Sequence, residues 1–370
     1  MRIHQMHFAL IPGDSISNHV IEIDGRLRAQ GLESSIFAGK IAPELAGRVH
    51  PQSEYLAHMY ASDEVLIYHY GLYDSPGVRY FQASRGLRVL IYHNITPAHY
   101  FRGWSREQEL LCDVGQQTLP ALAGCDLALG VSEFNRRQLV EAGFDEAGTG
   151  VLPIFLAEDR FETLPTNRPL LDRLQRGSTT NFVTVGRVAP NKAIEDSIRI
   201  FAIYHRAINP NSRLLVIGSR YLPTYDAALD ALVDDLGLGQ AVTFTGLVSD
   251  ADLKTYYQAA DLYLHASHHE GFCVPLLESM YFDLPILARE AGAVPETLSQ
   301  AGVLFTRPGY EEVAEMAHLL LDDARLRSRV IARQRERLAD FAPAGVEARL
   351  WSLLGRLGIS PGSPLTGEGG

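Results

Sequence analysis

Short apolar runs alternate with longer amphipathic stretches along this chain, and the alternation restarts once. The first series predicts strands at Ile3–Leu10, Ser35–Phe37, Val65–Tyr68, Val89–Tyr92 and Leu127–Gly130. A charged and polar interval follows, from Ala157 to Asn181. The second series predicts strands at Phe182–Val185, Arg213–Ile217, Val242–Thr245, Leu262–His265, Ile286–Ala288 and Val303–Phe305. Ile194–Ala207, Tyr225–Leu236 and Glu311–Leu338 carry apolar positions at helical spacing. Such alternation implies parallel sheets covered by helices, and two series imply two doubly wound α/β domains. The expected domains are 1–165 and 166–342, with a boundary near 160–178. A last helical segment, Val346–Leu357, is expected within 343–358, and a disordered Gly-, Pro- and Ser-rich tail over 359–370.

Ligands of doubly wound sheets bind beyond the carboxyl ends of the strands, so the loops there are the place to look for chemistry. The most informative one runs Glu270-Gly271-Phe272-Cys273-Val274-Pro275-Leu276-Leu277-Glu278. Read as turn and helix start after the strand Leu262–His265, it offers free backbone N–H groups to an anion, above all phosphate. A carboxylate on either side suits a ligand with hydroxyls at both ends, such as a nucleotide sugar. The two acids are poorly spaced for direct glycoside hydrolysis. Eight helical residues separate their backbones by roughly 12 Å, against ~5–5.5 or ~6.5–9.5 Å between the carboxyls of hydrolases. A solvated helix acid is the bland alternative for Glu278, and a helix cap for Glu270.

The other strand ends add cations and imidazoles. Val185-Gly186-Arg187 closes one strand, and Lys192 follows in the same loop; a fork and a point charge can together neutralise a diphosphate. Two solvated loop cations are the alternative. His69 and His93 each end a strand after a tyrosine, the second in Tyr92-His93-Asn94-Ile95-Thr96-Pro97. Gly13-Asp14-Ser15-Ile16-Ser17 leads from the first strand into a helix, with Ser17 as the expected N-cap. That loop can approach a phosphate or a sugar hydroxyl, but it lacks GxGxxG, so no dinucleotide cofactor is expected. Gly218 and Gly246 end strands whose loops can shape a nucleoside pocket. His268 and His269 beside Glu270 raise a metal site, yet neighbouring side chains in an extended segment point apart and HxxxH and HExxH are absent, so no metal and no cofactor is expected.

Bulk properties narrow the partners. The 370 residues carry a net charge of −11, from 33 basic and 44 acidic side chains. The deficit extends over both halves, which argues against nucleic acid as a partner. Cys112, Cys125 and Cys273 have no metal-ligand or CxxC spacing, which suits a reducing compartment. No signal peptide and no transmembrane segment is expected. A cytoplasmic protein, with room for peripheral contact at the inner face of the cell membrane, is the resulting expectation.

Together these segments resemble the retaining family-4 glycosyltransferases, which have the GT-B fold of two Rossmann-like doubly wound domains facing a cleft. The resemblance rests on E-G-F-x-x-P-x-x-E at Glu270 to Glu278, on Gly186, Arg187 and Lys192, and on Val216-Ile217-Gly218 and Phe244-Thr245-Gly246-Leu247. Asp126 to Ser132 and Val151-Leu152-Pro153 extend it into the amino-terminal half. It implies that Arg187 and Lys192 bind the donor diphosphate, that Glu270 contacts the transferred sugar, and that the amides of Gly271, Phe272, Cys273 and Val274 reach the sugar and β-phosphate. Glu278 would hold the ribose, and His93 would line the site near the anomeric carbon. Gly13, Gly186, Gly218 and Gly246 would complete the donor side; Asp14, Ser15, His69 and Asn94 are the acceptor-side candidates. The family's last helix crosses back to the first domain, which fits Val346–Leu357. Cys273 stands where many members have Gly, Ala193 where Gly is usual after the lysine, and Ser279 where Ala is common.

The expected activity is transfer of a hexose from a nucleotide diphosphate sugar, GDP-mannose or UDP-hexose, to a hydroxyl of a glycan or lipid-linked acceptor with retention and without a metal. His93, Arg187, Lys192 and Glu270 are its candidate catalytic residues. A nucleotide-sugar 2-epimerase of the same fold, which needs no acceptor, and a non-catalytic nucleotide-sugar-binding partner are the competing readings.

Overall fold

The computed structural model of the chain describes residues 2–156, 158–306 and 309–362. It divides into two compact units. One comprises 1–98, 107–157 and 341–370, the other 99–106 and 158–340. Segment 99–106, which a boundary near 165 leaves with the first domain, is counted with the second unit.

The first unit is built on a seven-stranded parallel sheet: β1 (Arg2–Leu10), β2 (Glu33–Ile41), β3 (Val49–Pro51), β4 (Glu64–Tyr70), β5 (Leu87–Tyr92), β6 (Leu127–Gly130) and β7 (Thr149–Val151). Their order across the sheet is β3-β2-β1-β4-β5-β6-β7. The second unit has six parallel strands: β8 (Thr180–Val185), β9 (Ser212–Ile217), β10 (Val242–Gly246), β11 (Leu262–His265), β12 (Ile286–Arg289) and β13 (Val303–Phe305), ordered β10-β9-β8-β11-β12-β13. All residues of β4 and of β11 are buried, as strands covered by helices on both faces must be. Both sheets are doubly wound: β2 and β3 extend to one side of β1 and β4 starts the other, just as β9 and β10 lie on one side of β8 and β11 on the other.

Several local expectations change. Strands β3 (Val49-His50-Pro51) and β7 (Thr149-Gly150-Val151) have three residues each and little apolar content, so they show no apolar run, unlike the equally short but wholly apolar β13. The stretch read as one helix over Glu311–Leu338 is two, Tyr310–Asp322 and Ala324–Ala339. Asp323 divides them, because its carboxylate accepts the N–H groups of Arg325 and Leu326 and so caps a new helix. At the first loop the N-cap is Asp14, not Ser17: Asp14 accepts the Ser17 N–H at 3.0 Å, three residues inside the helix Ser15–Ala29.

The last helix, Pro343–Gly355, belongs to the first unit. Gly150 in β7 lets it approach, since a Cβ there would sit 2.5 Å from a Leu353 methyl. Arg356 Nη1 donates to the Thr149 carbonyl at 2.8 Å. Of the tail expected to be disordered from 359, residues 363–370 lie outside the described residues. Its first residue does not fit that expectation: Ile359 is buried and its N–H donates to the Leu354 carbonyl.

Candidate functional site

A doubly wound sheet opens a crevice where its strand order reverses. In the second unit that point lies between β8 and β11, so the chain after Val185 and the chain after His265 share it. The first brings Gly186, Arg187 and Lys192; the second brings Glu270. Lys192 Nζ lies 2.6 Å from Glu270 Oε1, and His265 Nε2 lies 3.3 Å from the same oxygen. A small pocket here is lined by Thr184, Val185, Gly186, Arg187, Lys192, Ile194 and His265. Glu270 is buried, which by itself raises its pKa. The Lys192 charge and the His265 hydrogen bond outweigh that, and the carboxyl is held far below the usual range. Arg187 differs from its neighbours: it is exposed, forms no ion pair among the described residues, and has its guanidinium 5.8 Å from the Tyr221 ring centroid.

The glycines at the strand ends form a row. Gly186 N–H donates to the Ile217 carbonyl at 2.9 Å, and Gly218 N–H to the Gly246 carbonyl at 3.1 Å. Gly218 is required by packing, because a Cβ would fall 1.9 Å from the Gly186 oxygen. The helix Val274–Tyr281 opens beside Glu270 with Pro275 and no acid in its first turn, which leaves its amino end electropositive. Phe272 is buried, its carbonyl accepting the Thr297 hydroxyl at 2.7 Å, so its contribution to this mouth is the backbone. Two of the three departures from the family pattern carry strained backbone: Cys273 has φ 74 and Ala193 φ 46, both in the left-handed region that glycine tolerates. The Cys273 sulfur lies 3.7 Å from His265 Nε2.

Glu278 is buried rather than a solvated helix acid. Tyr257 donates its hydroxyl to Glu278 Oε2 at 2.8 Å, and the Tyr257 ring stacks on Phe282.

In the first unit the reversal lies between β1 and β4, where His7 stands opposite His69. His93 follows β5 and its backbone N–H donates to the Tyr70 carbonyl, which continues the ladder. His7 Nδ1 donates to the His69 carbonyl at 2.8 Å; His69 pairs with His93 through Nδ1···Nε2 at 3.0 Å and with Gln5 Oε1 through Nε2 at 3.0 Å. His19, from the first helix, sets its ring edge-on to His93 at 5.4 Å. Burial lowers the pKa of all four imidazoles, that of His19 to about 3.

Two acceptor-side candidates need correction. His69 is buried with both ring nitrogens engaged, so it stands behind His93 and presents no atom to an acceptor. Asn94 is buried at φ 74 and turns its amide to Asn135 and Gln138. Asp14 and Ser15 are half-buried at the start of the first helix, with exposed Gly13 before them at φ 81.

Sequence reasoning missed His265, Tyr257, Gln5, His19 and Gly292. His265 ends β11 and was within reach of the strand-end rule that selected His69 and His93. A Cβ on Gly292 would lie 2.3 Å from the Glu270 carbonyl oxygen, so this glycine seats the Glu270 backbone. The remaining three act through contacts between distant segments and carry no local signal.

Two groups among the described residues bring three ligand-type atoms together, His265 with Glu270 and Cys273, and His4 with His58 and Glu64. In the first, the Lys192 ammonium already takes the carboxylate; in the second, Arg2 and both imidazoles do. The pair weighed from sequence belongs to neither, and His268 Nε2 instead faces Asp196 Oδ2 at 3.5 Å.

Residues 173–337 match the family described as glycosyl transferases group 1. Among curated proteins the chain is similar to a GDP-mannose-dependent alpha-(1-6)-phosphatidylinositol monomannoside mannosyltransferase of Mycobacterium tuberculosis, 27% identical over 260 residues. That match covers 67% of this chain and 63% of the relative's length. It is also similar to the O-antigen chain mannosyltransferase B of Escherichia coli, 25% identical over 54% of this chain and 52% of the relative. Among solved structures, Anabaena HepE in complex with UDP and glucose superposes with a TM-score of 0.77 at 17% identity, covering 96% of this chain and 99% of that one. WaaG, a glycosyltransferase involved in lipopolysaccharide biosynthesis, superposes with a TM-score of 0.72 at 15% identity, covering 94% and 98%. The two doubly wound sheets and the likenesses to solved structures agree on the GT-B fold, and within it residues 173–337, somewhat under half of the chain, match the glycosyl transferases group 1.

Proposed function

We propose that the chain transfers a hexose from a nucleotide diphosphate sugar, GDP-mannose or a UDP-hexose, to a hydroxyl of a glycan or lipid-linked acceptor, with retention at the anomeric carbon. One observation carries this reading. At the switch point of the second sheet, an arginine with no ion pair among the described residues, a lysine–glutamate pair and a helix amino end free of acids converge. A diphosphate needs positive potential, and a sugar needs a fixed carboxylate beside it. Arg187, Lys192 and the amides from Gly271 to Val274 would take the diphosphate, with Gly13, Gly186, Gly218 and Gly246 leaving room for backbone approach. Glu270 would accept from sugar hydroxyls, and Glu278, oriented by Tyr257, from the ribose. His93 would face the reacting sugar.

No side-chain nucleophile is needed in this scheme. The acceptor oxygen bonds to the anomeric carbon on the face the leaving group departs from, while the carbon–oxygen bond to the β-phosphate breaks. The acceptor proton passes to a phosphate oxygen, and the developing charge on the diphosphate is met by Arg187, Lys192 and the helix amides. Among the described residues no helix is long and apolar enough to cross a membrane. The reading places the reaction on the cytoplasmic side, with peripheral contact at the inner membrane face where the acceptor is lipid-linked.

A thermal-shift panel of UDP, GDP, UDP-glucose and GDP-mannose tests donor binding. A ligand at a hundredfold excess over Kd stabilises by about 2.7 kcal/mol, a readily measured shift. Absence of any shift with all four would end the donor assignment. Anomeric coupling constants of the product then decide retention, and incubation with donor alone, giving no epimer, separates transfer from isomerisation.

A further inference from the structure

The hydrogen bonds behind His93 have only one consistent direction. The Val20 carbonyl can only accept, and the Gln5 side chain meets it at 3.1 Å, so the NH2 end of that amide faces Val20. The opposite orientation would set two oxygens against each other. Gln5 therefore turns its oxygen to His69 Nε2 at 3.0 Å, and Nε2 must carry the proton. Among the described residues no carboxylate forms a hydrogen bond to either His69 or His93. With His69 neutral, its Nδ1 is a lone pair, and the facing His93 Nε2 at 3.0 Å must be the donor. The His93 proton is thereby used inward, and His93 Nδ1 is left a buried acceptor with no partner among the described residues. Packing holds the ring in this position: it lies edge to edge with His69 through this hydrogen bond, the two planes 26° apart, and makes an edge contact with His19 at 5.4 Å.

We propose that Gln5 and His69 are positioning residues that fix His93 as the neutral Nε2-protonated tautomer, so that His93 meets a ligand as a hydrogen-bond acceptor through Nδ1. In this state His93 receives a hydroxyl proton in a hydrogen bond and donates none. It orients a sugar or acceptor hydroxyl and does not protonate a leaving group. The assignment of that hydroxyl to the transfer reaction rests on the reading above; the tautomer does not. Burial lowers the pKa of His69 and of His93, which keeps both rings neutral at pH 7. A wrong tautomer at an otherwise intact catalytic histidine is known to be costly, so a residue that sets it has a kinetic role without touching substrate.

The test is an imidazole nitrogen-15 spectrum of the whole chain at pH 7.5, with His93 assigned by its substitution. The expected spectrum shows His93 protonated at Nε2 and bare at Nδ1. A proton on Nδ1 would overturn the proposal, and that measurement needs no variant to fold. Two variants then separate positioning from packing. His69→Asn retains an acceptor oxygen close to the place of Nδ1, whereas His69→Leu removes it. Transfer is expected to fall about 10- to 100-fold in kcat for His69→Leu, with KM for the donor changed less, and to return to within about threefold in His69→Asn. Equal losses in both, or an unchanged His93 spectrum in His69→Leu, would refute the relay. If wild-type transfer is absent while the tautomer is as expected, the transfer reading fails and the relay stands.

Discussion

At the switch point of the second sheet an exposed arginine, a lysine and a buried carboxylate meet; at that of the first sheet four buried imidazoles meet and no charge joins their hydrogen bonds. The two places are topologically equivalent, each lying where a doubly wound sheet reverses its strand order. They differ in what a ligand can find there. The second offers charge already held in place before any ligand arrives, since Lys192 and Glu270 orient each other. The first offers directional lone pairs and ring edges. Charge suits a diphosphate, and directed acceptors suit hydroxyls. Substitutions in the two places should therefore fail differently, by loss of charge stabilisation in one and by loss of orientation or of pH tolerance in the other.

The largest effect is expected at Arg187. Its guanidinium is exposed and forms no ion pair among the described residues, so Arg187→Ala should change folding stability by no more than about 0.5 kcal/mol. In the proposed reaction it should lower kcat by about 10²–10³-fold, the cost of removing one charge-stabilising donor. Full turnover in the variant would remove the diphosphate role. Lys192→Ala should behave otherwise, because it leaves Glu270 buried without its counter-charge. Removal of one partner of a buried pair costs several kcal/mol; with Lys192 24% exposed, about 2–3 kcal/mol is expected, visible in urea unfolding at pH 7.

Acid titration sharpens the contrast. Glu270 has a folded-state pKa below its unfolded value, so the stability it contributes is complete above the ordinary carboxylate range and is lost as pH falls below about 5. Glu270→Gln should flatten the stability curve in that window. The imidazoles of the first unit act at higher pH. Their folded pKa values are depressed by burial, so the unfolded chain binds protons first, and stability falls as pH drops through about 6.5. His19 isolates this effect, being fully buried with neither ring nitrogen partnered. His19→Leu should gain about 1.4 kcal/mol relative to wild type on going from pH 7.5 to 5.5, from one pH unit of avoided protonation. Parallel curves for the two proteins would show that His19 is not held neutral.

The two switch points were also unequally legible in the sequence. Glu270, Gly271 and Glu278 lie in one contiguous segment, and Lys192 follows its strand end within seven residues, so the strand-end rule picked out each segment and the family resemblance joined them into one site. The partners of His93 could not be found that way. Gln5 and His69 are 64 residues apart and meet only because β1 and β4 are neighbours in register. His69 read as an acceptor-side candidate because a strand-end position does not reveal which atoms are already engaged. The strand–helix alternation was legible wherever a strand carried an apolar run, down to the three residues of β13, and failed at β3 and β7, where His50, Pro51, Thr149 and Gly150 leave no such run. The break at Asp323 was missed because helical periodicity runs through it, while a side-chain cap decides it. Gly292 was passed over because its importance lies in a close approach to Glu270, and no local pattern records that.

The smallest expected effects concern Ala193 and Cys273, which stand on left-handed backbone where the family commonly has Gly. A non-glycine residue there carries about 1–2 kcal/mol of strain, and a glycine returns about 0.5–1 kcal/mol of that through the greater freedom of the unfolded chain. For Ala193→Gly little side chain is lost, so a net gain of about 0.5 kcal/mol is expected, near 1–2 °C in Tm. Cys273→Gly also forfeits a buried thiol packed on His265, which should bring its net change to zero or slightly below. The two substitutions should thus differ in sign under the same melting conditions. If Ala193→Gly lowers Tm by more than about 3 °C, the αL position is not a source of strain and the loop carrying Lys192 depends on the methyl group for its shape.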